Sequence, residues 1–401
     1  MKREFPTIAQ YNQVIKNQGG NALRTLQGLT FIPSRTMPIK VFLFGSGAYA
    51  VVFKGSKENK NYAIRCFLST EQENIDRYKA ICEYLSNINT EWKVDCHFLE
   101  NEISVHGKYY PLLTMEWIEG LLINQFVYNN LNKNSVLTEL QQQLLEISND
   151  LEKNQIGHGD LQCGNIIVQP KQNSFQVKLI DYDGMYIPEF EGEKSLELGR
   201  SEFQHPKRKH TDFSSQIDRF SFWVMITALE AIKYDKTLWR EVMQGGFNTL
   251  DNFLFTIQDF LHPNSSKLFS RLKQLNQPSV DFYAENLKKY SQLPIYQVEK
   301  PRLFNNENSA FNEFKIEEKP FSKETNQKEQ VMRPHSGNIL VTSQPEGANV
   351  LTSTFQKIGL TPLQLNKANY IGKTLIINYE NNTKRVTVQN ATDTIKVNLN
   401  E

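Results

Sequence analysis

The alternation of apolar and polar positions divides the chain into a strand-rich, a helical and a second strand-rich region. Between residues 41 and 118, four runs alternate like half-buried strands, namely KVFLFG, AVVFKG, NYAIRCF and YYPLLTMEW, and one helix is predicted over 71–87. Residues 135–157 and 216–232 instead repeat apolar side chains at the helical period. Beyond residue 337, short β-branched runs return between Gly, Pro and Asn turns. The pattern predicts an α+β protein with two lobes, followed by a small all-β domain.

Composition changes sharply near Pro301. Residues 301–336 are rich in Asn, Lys and Glu and contain six basic and six acidic residues, so they have little apolar area to offset the entropy of the chain. We expect a flexible linker there and an independent β domain over 337–401. Upstream, we expect an N-terminal extension over 1–40 and the two lobes over 41–118 and 119–300.

Length and charge limit the classes of protein to consider. A chain of 401 residues with 39% hydrophobic side chains is long enough for two or three globular domains. The 45 basic and 44 acidic residues give a net charge of +1, so no global field favours nucleic acid or anionic lipid. The four cysteines show no zinc-ligand spacing and are expected to be reduced thiols. With no long apolar segment in the sequence, we expect a cytoplasmic protein without membrane insertion.

A glycine-rich segment lies between two predicted strands. Residues 45–52 read GSGAYAVV, and Gly45 and Gly47 would let backbone N–H groups approach a phosphate. The strand-to-strand context argues against a dinucleotide fingerprint or a P-loop, which both run into a helix. An ordinary hairpin also uses glycines and remains the alternative. Thirteen residues after Val52, the strand YAIR ends at Arg65, which is either a phosphate partner or a solvated strand residue.

The strongest chemical signal is a group of acids and an amide. In HGDLQCGNIIV, Asp160 and Asn165 lie five residues apart, and Asp181 follows the next strand-like run. This spacing suits phosphoryl transfer, in which one carboxylate orients a hydroxyl nucleophile while an amide oxygen and a second carboxylate hold Mg²⁺. Turn residues between a helix and a hairpin are the alternative, but they do not predict the joint spacing with the glycine segment.

On these motifs, residues 41 to about 290 resemble the protein kinase superfamily, and HGDLQ-x-GN, DYDGM and QHP together resemble an atypical bacterial group of it. The resemblance implies a bilobal kinase fold that uses ATP and Mg²⁺. It implies that Asp160 and Asn165 are catalytic and that Asn165 and Asp181 bind the metal. The residues implied to bind the nucleotide are Gly45, Gly47, Val52, Ala63, Arg65 and the hinge residues Glu116, Trp117 and Ile118.

Several positions depart from the kinase pattern. Arg65 stands where the family has Lys, which puts phosphate pairing in doubt because a planar guanidinium is not a point charge. Lys54, on the same strand face as Val52, is a possible substitute, although a solvated lysine is the simpler interpretation. Gly159 replaces an Arg and Gln162 replaces a Lys. The sequence does not identify the helical partner of Arg65; the candidates are Glu71, Glu73 and Glu83.

Three further residues near these motifs are expected to have structural roles. Asp218 opens an apolar helix and is expected either to brace the catalytic-loop backbone or to be an ordinary helix N-cap. His158 is expected to pack inside the catalytic loop without transferring a proton. Cys163 is expected to be a small buried side chain rather than a reactive thiol.

The C-terminal region resembles the PEGA domain. Its name-giving turn is present as Pro345 to Ala348, and a G-x-T-P signature spans Gly359 to Pro362. Both signatures are turn chemistry, so they predict a compact β sandwich rather than a ligand. The resemblance implies a targeting or interaction role, with an unidentified partner.

Three functions are compatible with these residues. The leading hypothesis is a Ser/Thr protein kinase that transfers the γ-phosphate of Mg-ATP to an unidentified protein substrate. Because HGDL-x-x-GN also resembles aminoglycoside and choline phosphotransferases, a small-molecule acceptor is the second. The third is a pseudokinase scaffold, suggested by Arg65 and Gln162 but opposed by the intact Asp160, Asn165 and Asp181.

Overall fold

The computed structural model describes two compact units, which divide after Pro301. The described residues are 2–33, 42–46, 50–239, 252–305, 338–344, 347–352, 357–361, 363–366, 370, 374–379, 382–389 and 394–398. Most of the predicted linker, 306–336, lies outside them. The protein is of mixed α+β class with mainly antiparallel sheets.

The first unit begins with a strand-rich part. Its strands and helices in chain order are β1 (Lys2–Glu4), α1 (Ile8–Gln18), β2 (Thr30–Ile32), β3 (Leu43–Ser46), β4 (Ala50–Lys57), β5 (Lys60–Phe67), β6 (Ser69–Glu71), α2 (Gln72–Ser86), β7 (Cys96–Val105) and β8 (Lys108–Glu116).

Five of these strands form an antiparallel sheet in the order β2-β4-β5-β8-β7, and β3 also pairs with β4. The predicted strands over residues 41–118 and the helix over 71–87 are thus present. The region predicted as an extension, 1–40, contributes β2 to this sheet and α1 to the apolar core beneath it.

Helix α1 begins at a capping box. The Gln10 N–H group donates to the Thr7 hydroxyl at 3.3 Å, and the Gln10 side chain accepts from the Thr7 N–H group at 2.8 Å. Its buried face packs with alternate residues of the sheet, among them Val51 and Phe53 of β4. One face of the sheet is therefore covered by α1.

The rest of the first unit is mostly helical. Its elements are β9 (Leu121–Leu122), α3 (Ile123–Asn129), α4 (Asn134–Lys153), β10 (Ile166–Pro170), β11 (Phe175–Leu179), α5 (Arg219–Tyr234), α6 (Ile257–Leu261), α7 (Lys267–Gln274) and α8 (Pro278–Gln292).

Helix α5 lies at the centre of this helical part. It packs between α4 and α8, and nearly all of its side chains are buried. Helix α4 has an apolar face at the helical period that includes Leu137, Leu140, Leu144 and Leu151. The helices predicted over 135–157 and 216–232 are therefore confirmed. Among the described residues, no helix combines the length and the hydropathy needed to cross a membrane.

The second unit is built from strands alone in its described parts. They are β12 (Asn338–Gln344), β13 (Asn349–Thr352), β14 (Lys357–Leu360), β15 (Leu363–Asn366), β16 (Thr374–Tyr379), β17 (Asn382–Thr387) and β18 (Thr394–Asn398).

These strands form two sheets, β15-β12-β18 and β14-β13-β16-β17. Strand β18 runs parallel to β12, whereas every other pair in this unit is antiparallel. Both sheets contribute to one apolar cluster, which includes Val341, Val350 and Ile377. An all-β unit after the predicted linker agrees with the sequence pattern.

Thr361 joins the two turn signatures of this unit. The Gly347 N–H group donates to the Thr361 carbonyl at 2.8 Å, the Thr361 N–H group donates to the Ala348 carbonyl at 2.9 Å, and the Ala348 N–H group donates to the Thr361 hydroxyl at 3.0 Å. The same hydroxyl lies against that of the buried Ser343. Pro345 and Pro362 lie outside the described residues.

We expect Thr361→Val to lower the free energy of unfolding of the second unit by about 1–2 kcal/mol. The change keeps the shape of the side chain but leaves the buried Ala348 N–H group without its acceptor. Hydrogen exchange of the full chain, read on peptides from β12 and β13, measures this loss of protection. The control is Thr387→Val, which alters an exposed threonine. Equal protection in the two variants would contradict the assigned role.

Candidate functional site

Strands β4 and β5 present a partly open face opposite the face covered by α1. Val52 lies directly across from Arg65, and Lys54 lies across from Ala63. All four side chains are half-buried, whereas the alternate residues on these strands point into the core. The sheet therefore places three of the predicted nucleotide-binding residues, Val52, Ala63 and Arg65, on one face.

The glycine segment lies at the edge of this face. Gly45 pairs with Val52 across β3 and β4, next to an irregularity in the register at Leu43. Among the described residues, a Cβ atom added at Gly45 would meet nothing within 4 Å, so those residues do not require a glycine there. Gly47 lies outside the described residues.

The predicted hinge follows the end of β8. The Glu116 N–H group donates to the Asp95 carbonyl at 3.3 Å, and the Trp117 N–H group donates to the Asn61 carbonyl at 2.9 Å. Among the described residues, no backbone acceptor faces the N–H group of Ile118.

Strands β10 and β11 bring Asn165 and Asp181 to the same end of a hairpin. Asn165 directly precedes β10, and Asp181 is the second residue after β11. The register pairs Ile166 with Leu179. The Ile180 N–H group donates to the Asn165 carbonyl at 2.9 Å, which fixes the two segments together. Asp181 has a positive φ of 64°, a conformation that Asp tolerates better than most residues.

The Asp160 carboxylate is held by three N–H donors. Its Oδ2 atom accepts from the side-chain amides of Gln162 and Asn165, both at 2.9 Å, and its Oδ1 atom accepts from the Arg200 backbone at 3.1 Å. Asn165 also donates to the Asp160 carbonyl at 2.8 Å. The side chain of Gln162 thus orients Asp160 although it cannot supply the positive charge of a lysine.

Asp218 braces the loop that carries Asp160. Its two carboxylate oxygens accept from the N–H groups of His158 and Gly159, and its side chain does not cap α5. Asp218 therefore occupies the N-cap position of α5, but its side chain braces the loop instead of capping the helix. Gly159 has a φ of 79°, and a Cβ atom there would lie 2.3 Å from the Gly184 carbonyl oxygen. The backbone itself therefore explains why a glycine, not an arginine, occupies this position.

His158 connects the braced loop to β11. Its Nε2 atom lies 3.0 Å from the Ile180 carbonyl, and its ring is fully buried edge-on against Tyr182. Because a carbonyl can only accept, Nε2 carries the proton and the ring packs as predicted. Cys163 is also fully buried; its thiol is not part of a disulfide and donates to the Asn252 carbonyl at 3.7 Å.

Arg65 reaches from the sheet to the turn after β11. Its Nη1 atom lies 2.7 Å from Asp181 Oδ1, and its Nη2 atom contacts Asp183 Oδ2 and the Tyr78 hydroxyl. Burial opposes the charge on Asp181, but the guanidinium outweighs burial and lowers the pKa of that carboxyl group. Burial, opposed by Arg65, together with the nearby Asp181 charge raises the pKa of Asp183 to about 7.

Two further charged residues border the site. Desolvation and the charges of Asp160, Asp183 and Asp181 raise the pKa of Glu197 to about 7. Arg208 is buried and donates to the Gly159 carbonyl at 2.6 Å, and burial lowers its pKa. The sequence pattern did not identify either residue, because both are contributed by the irregular segment between β11 and α5.

The structure describes the side chains of two further predicted candidates, Lys54 and Glu83. Lys54 forms an ion pair with Glu119 at 2.6 Å and lies 4.4 Å from the Trp117 ring centre, so its charge is engaged at the hinge. Glu83 is exposed on α2. The side chains of Glu71 and Glu73 lie outside the described residues.

Mg²⁺ fits the oxygen atoms that remain available. The amide nitrogen of Asn165 is occupied by Asp160, which leaves its Oδ1 atom without a hydrogen bond among the described residues. The Asp181 side chain keeps 44% exposure beside Arg65. Such a small set suits an ion that retains waters and binds phosphate. No larger cluster of His, Cys, Asp or Glu able to hold a metal occurs in the described ranges.

We expect Asp218→Asn to lower the free energy of unfolding by about 3 kcal/mol, since an amide presents N–H atoms to one of two buried N–H groups that need acceptors. Urea unfolding measures the difference. Glu189→Gln, at an exposed position, is the control and should change little. A stable Asp218→Asn protein would show that the loop does not depend on this brace.

Comparison with known proteins does not assign the chain: no family model matches it, and no curated protein matches it. The protein kinase and PEGA resemblances therefore depend on the residues and contacts described above.

Proposed function

We propose that this chain is an ATP-dependent phosphotransferase of the protein kinase type that phosphorylates Ser or Thr hydroxyl groups of a protein. The observation that carries the proposal is the convergence of Asp160, Asn165 and Asp181 with Arg65 of the sheet. These residues come from three separate segments, and their chemistry is that of positioning and charge neutralisation.

Each residue has a role that its contacts support. Asp160, fixed by three donors, would orient the acceptor hydroxyl group and accept its proton. Val52 and Ala63 would cover the adenine, and the Ile118 N–H group would donate to its edge. Arg65 would bind phosphate oxygens, which its planar guanidinium can contact through two N–H groups.

A metal fits this proposal at two residues. Asn165 Oδ1 and the Asp181 carboxylate would hold Mg²⁺, which would neutralise negative charge on the phosphates. Asp218 and His158 do not take part directly; they keep the loop and the turn after β11 in fixed positions.

The second unit supports a protein acceptor rather than a small molecule. It forms its own apolar core, and its signatures are built into turns held by Thr361. We propose that it is a PEGA-type module that directs the first unit to its substrate, because a tethered module raises the local concentration of a partner.

One contact favours a second candidate function. The Arg200 N–H group occupies Asp160 Oδ1, so the segment containing Arg200 lies against the atom that a substrate hydroxyl would approach. A nucleotide-binding scaffold without phosphate transfer would keep this arrangement permanently. A kinase requires the segment to move, or the hydroxyl group to approach Oδ1 beside that N–H group.

The test is transfer of label from γ-labelled ATP by the full chain in the presence of Mg²⁺ and a generic protein acceptor. We expect labelled protein, and we expect Asp160→Asn to reduce its rate by roughly 10²–10⁴, the usual contribution of a positioned base. Glu189→Gln is the control. Nucleotide binding without any labelled protein would favour the scaffold, and label on a small molecule alone would exclude a protein acceptor.

A further inference from the structure

Arg65 has two acidic partners, and both come from the turn after β11. Asp181 accepts from Nη1 at 2.7 Å, and Asp183 accepts from Nη2. The helix α2 contributes a phenol instead: the Tyr78 hydroxyl lies 3.2 Å from Nη2, and the Tyr78 ring centre lies 5.4 Å from the guanidinium carbon. Among the described side chains of α2, no carboxylate pairs with Arg65.

The two acids are not equivalent. The Asp183 side chain is 23% exposed, about half the 44% exposure of Asp181. Kinases have the three residues Asp-Phe-Gly where this chain has the four residues DYDG from Asp181 to Gly184. Asp183 is the additional residue. The deeper carboxylate therefore lies on the side of Arg65 that faces Tyr78 and α2, and the more open one remains accessible to a ligand.

Three of the five N–H groups of Arg65 have acceptors among the described residues, which leaves the N–H group of Nε and the second one of Nη1. Its Nε atom is buried and has no hydrogen-bond partner among the described residues, while Nη1 and Nη2 are both engaged. A buried donor without an acceptor is costly, and a guanidinium fixed by its two Nη atoms has a defined orientation. Arg65 is thus held through its two Nη atoms, while its Nε–H group has no acceptor among the described residues.

We propose that Asp183, assisted by Tyr78, is the positioning residue that holds Arg65 for the phosphates of the nucleotide, since among the described side chains of α2 no carboxylate does so. This rests on the proposed function. Asp183 would neutralise Arg65 from the inner side, so that Asp181 need not be its only counter-ion and keeps oxygen atoms for a metal.

The position of α2 would consequently affect Arg65 through a hydrogen bond to a neutral phenol rather than through an ion pair. Helix α2 is itself held to the segment after the DYDG turn, because Arg77 pairs with Glu193 and stacks 4.3 Å from the Phe190 ring centre. Arg65 of the sheet therefore contacts two acids of the turn, and among the described side chains of α2 it contacts the neutral Tyr78.

The experiment compares binding of ADP and adenosine to the full-length wild type and to Asp183→Asn, with Mg²⁺ and again with EDTA. We expect the affinity for ADP to fall about tenfold in both solutions, the scale of one lost charge-assisted contact. Affinity for adenosine should stay unchanged, because it has no phosphate. Glu83→Gln, on α2, is the matched control and should bind ADP as the wild type does.

Three results would overturn the proposal. An unchanged affinity for ADP in Asp183→Asn would show that Arg65 needs no such anchor. A loss seen only with Mg²⁺ would make Asp183 a metal ligand instead. An equal loss for adenosine would indicate general damage to the site.

A double-mutant cycle separates this inference from the proposed function. Urea unfolding of Arg65→Met, Asp183→Asn and the double variant measures whether the two residues interact, with no nucleotide present. If the wild type binds neither ADP nor adenosine, the proposed function fails, while coupling in the cycle would still support the anchoring. Additive effects in the cycle would contradict the anchoring even if nucleotide binds.

Discussion

The ion pair between Arg65 and the two aspartates of the turn after β11 is the contact on which the candidate site depends. A guanidinium that is 17% exposed needs acidic partners, and Asp181 and Asp183 supply two. Arg65 belongs to the sheet, whereas both acids follow the hairpin that carries Asn165. The pair therefore sets the position of the sheet face relative to the proposed metal ligands.

In the rest of the site, buried side chains hold backbone groups. The Asp218 carboxylate accepts from two consecutive N–H groups of the loop, and His158 Nε2 donates to the Ile180 carbonyl. These contacts connect α5, the loop with Asp160 and the end of β11 into one assembly. Fixed positions matter for a reaction in which the protein mainly orients groups and balances charge.

Much of the secondary structure follows from the sequence pattern, and long-range contacts do not. The periodicity of α4 and α5 and the strands β4, β5 and β8 are local signals, and the structure has these elements. Strand β7 was not identified because three acidic or amide residues, Glu100 to Glu102, interrupt its pattern where the register shifts. Helix α1 was not predicted either, because its capping box precedes a mostly polar segment.

For the site, spacing was informative only within short motifs. The five-residue interval predicts that Asp160 and Asn165 share one loop; their hydrogen bond was not predicted and is seen in the structure alone. The partner of Arg65 could not be found in this way, because Tyr78 and Asp183 lie 13 and 118 residues away and meet only after the sheet, helix and hairpin have packed. The extra aspartate of the DYDG turn was the one available signal.

An experimental structure of the full chain with Mg²⁺ and a non-hydrolysable ATP analogue would test whether Arg65, Asn165 and Asp181 form one nucleotide-binding site. We expect phosphate oxygens at Arg65, the metal at Asn165 and Asp181, and the adenine beside Ala63 and Ile118. A nucleotide bound elsewhere, or an Arg65 that contacts only protein groups in that complex, would contradict this expectation.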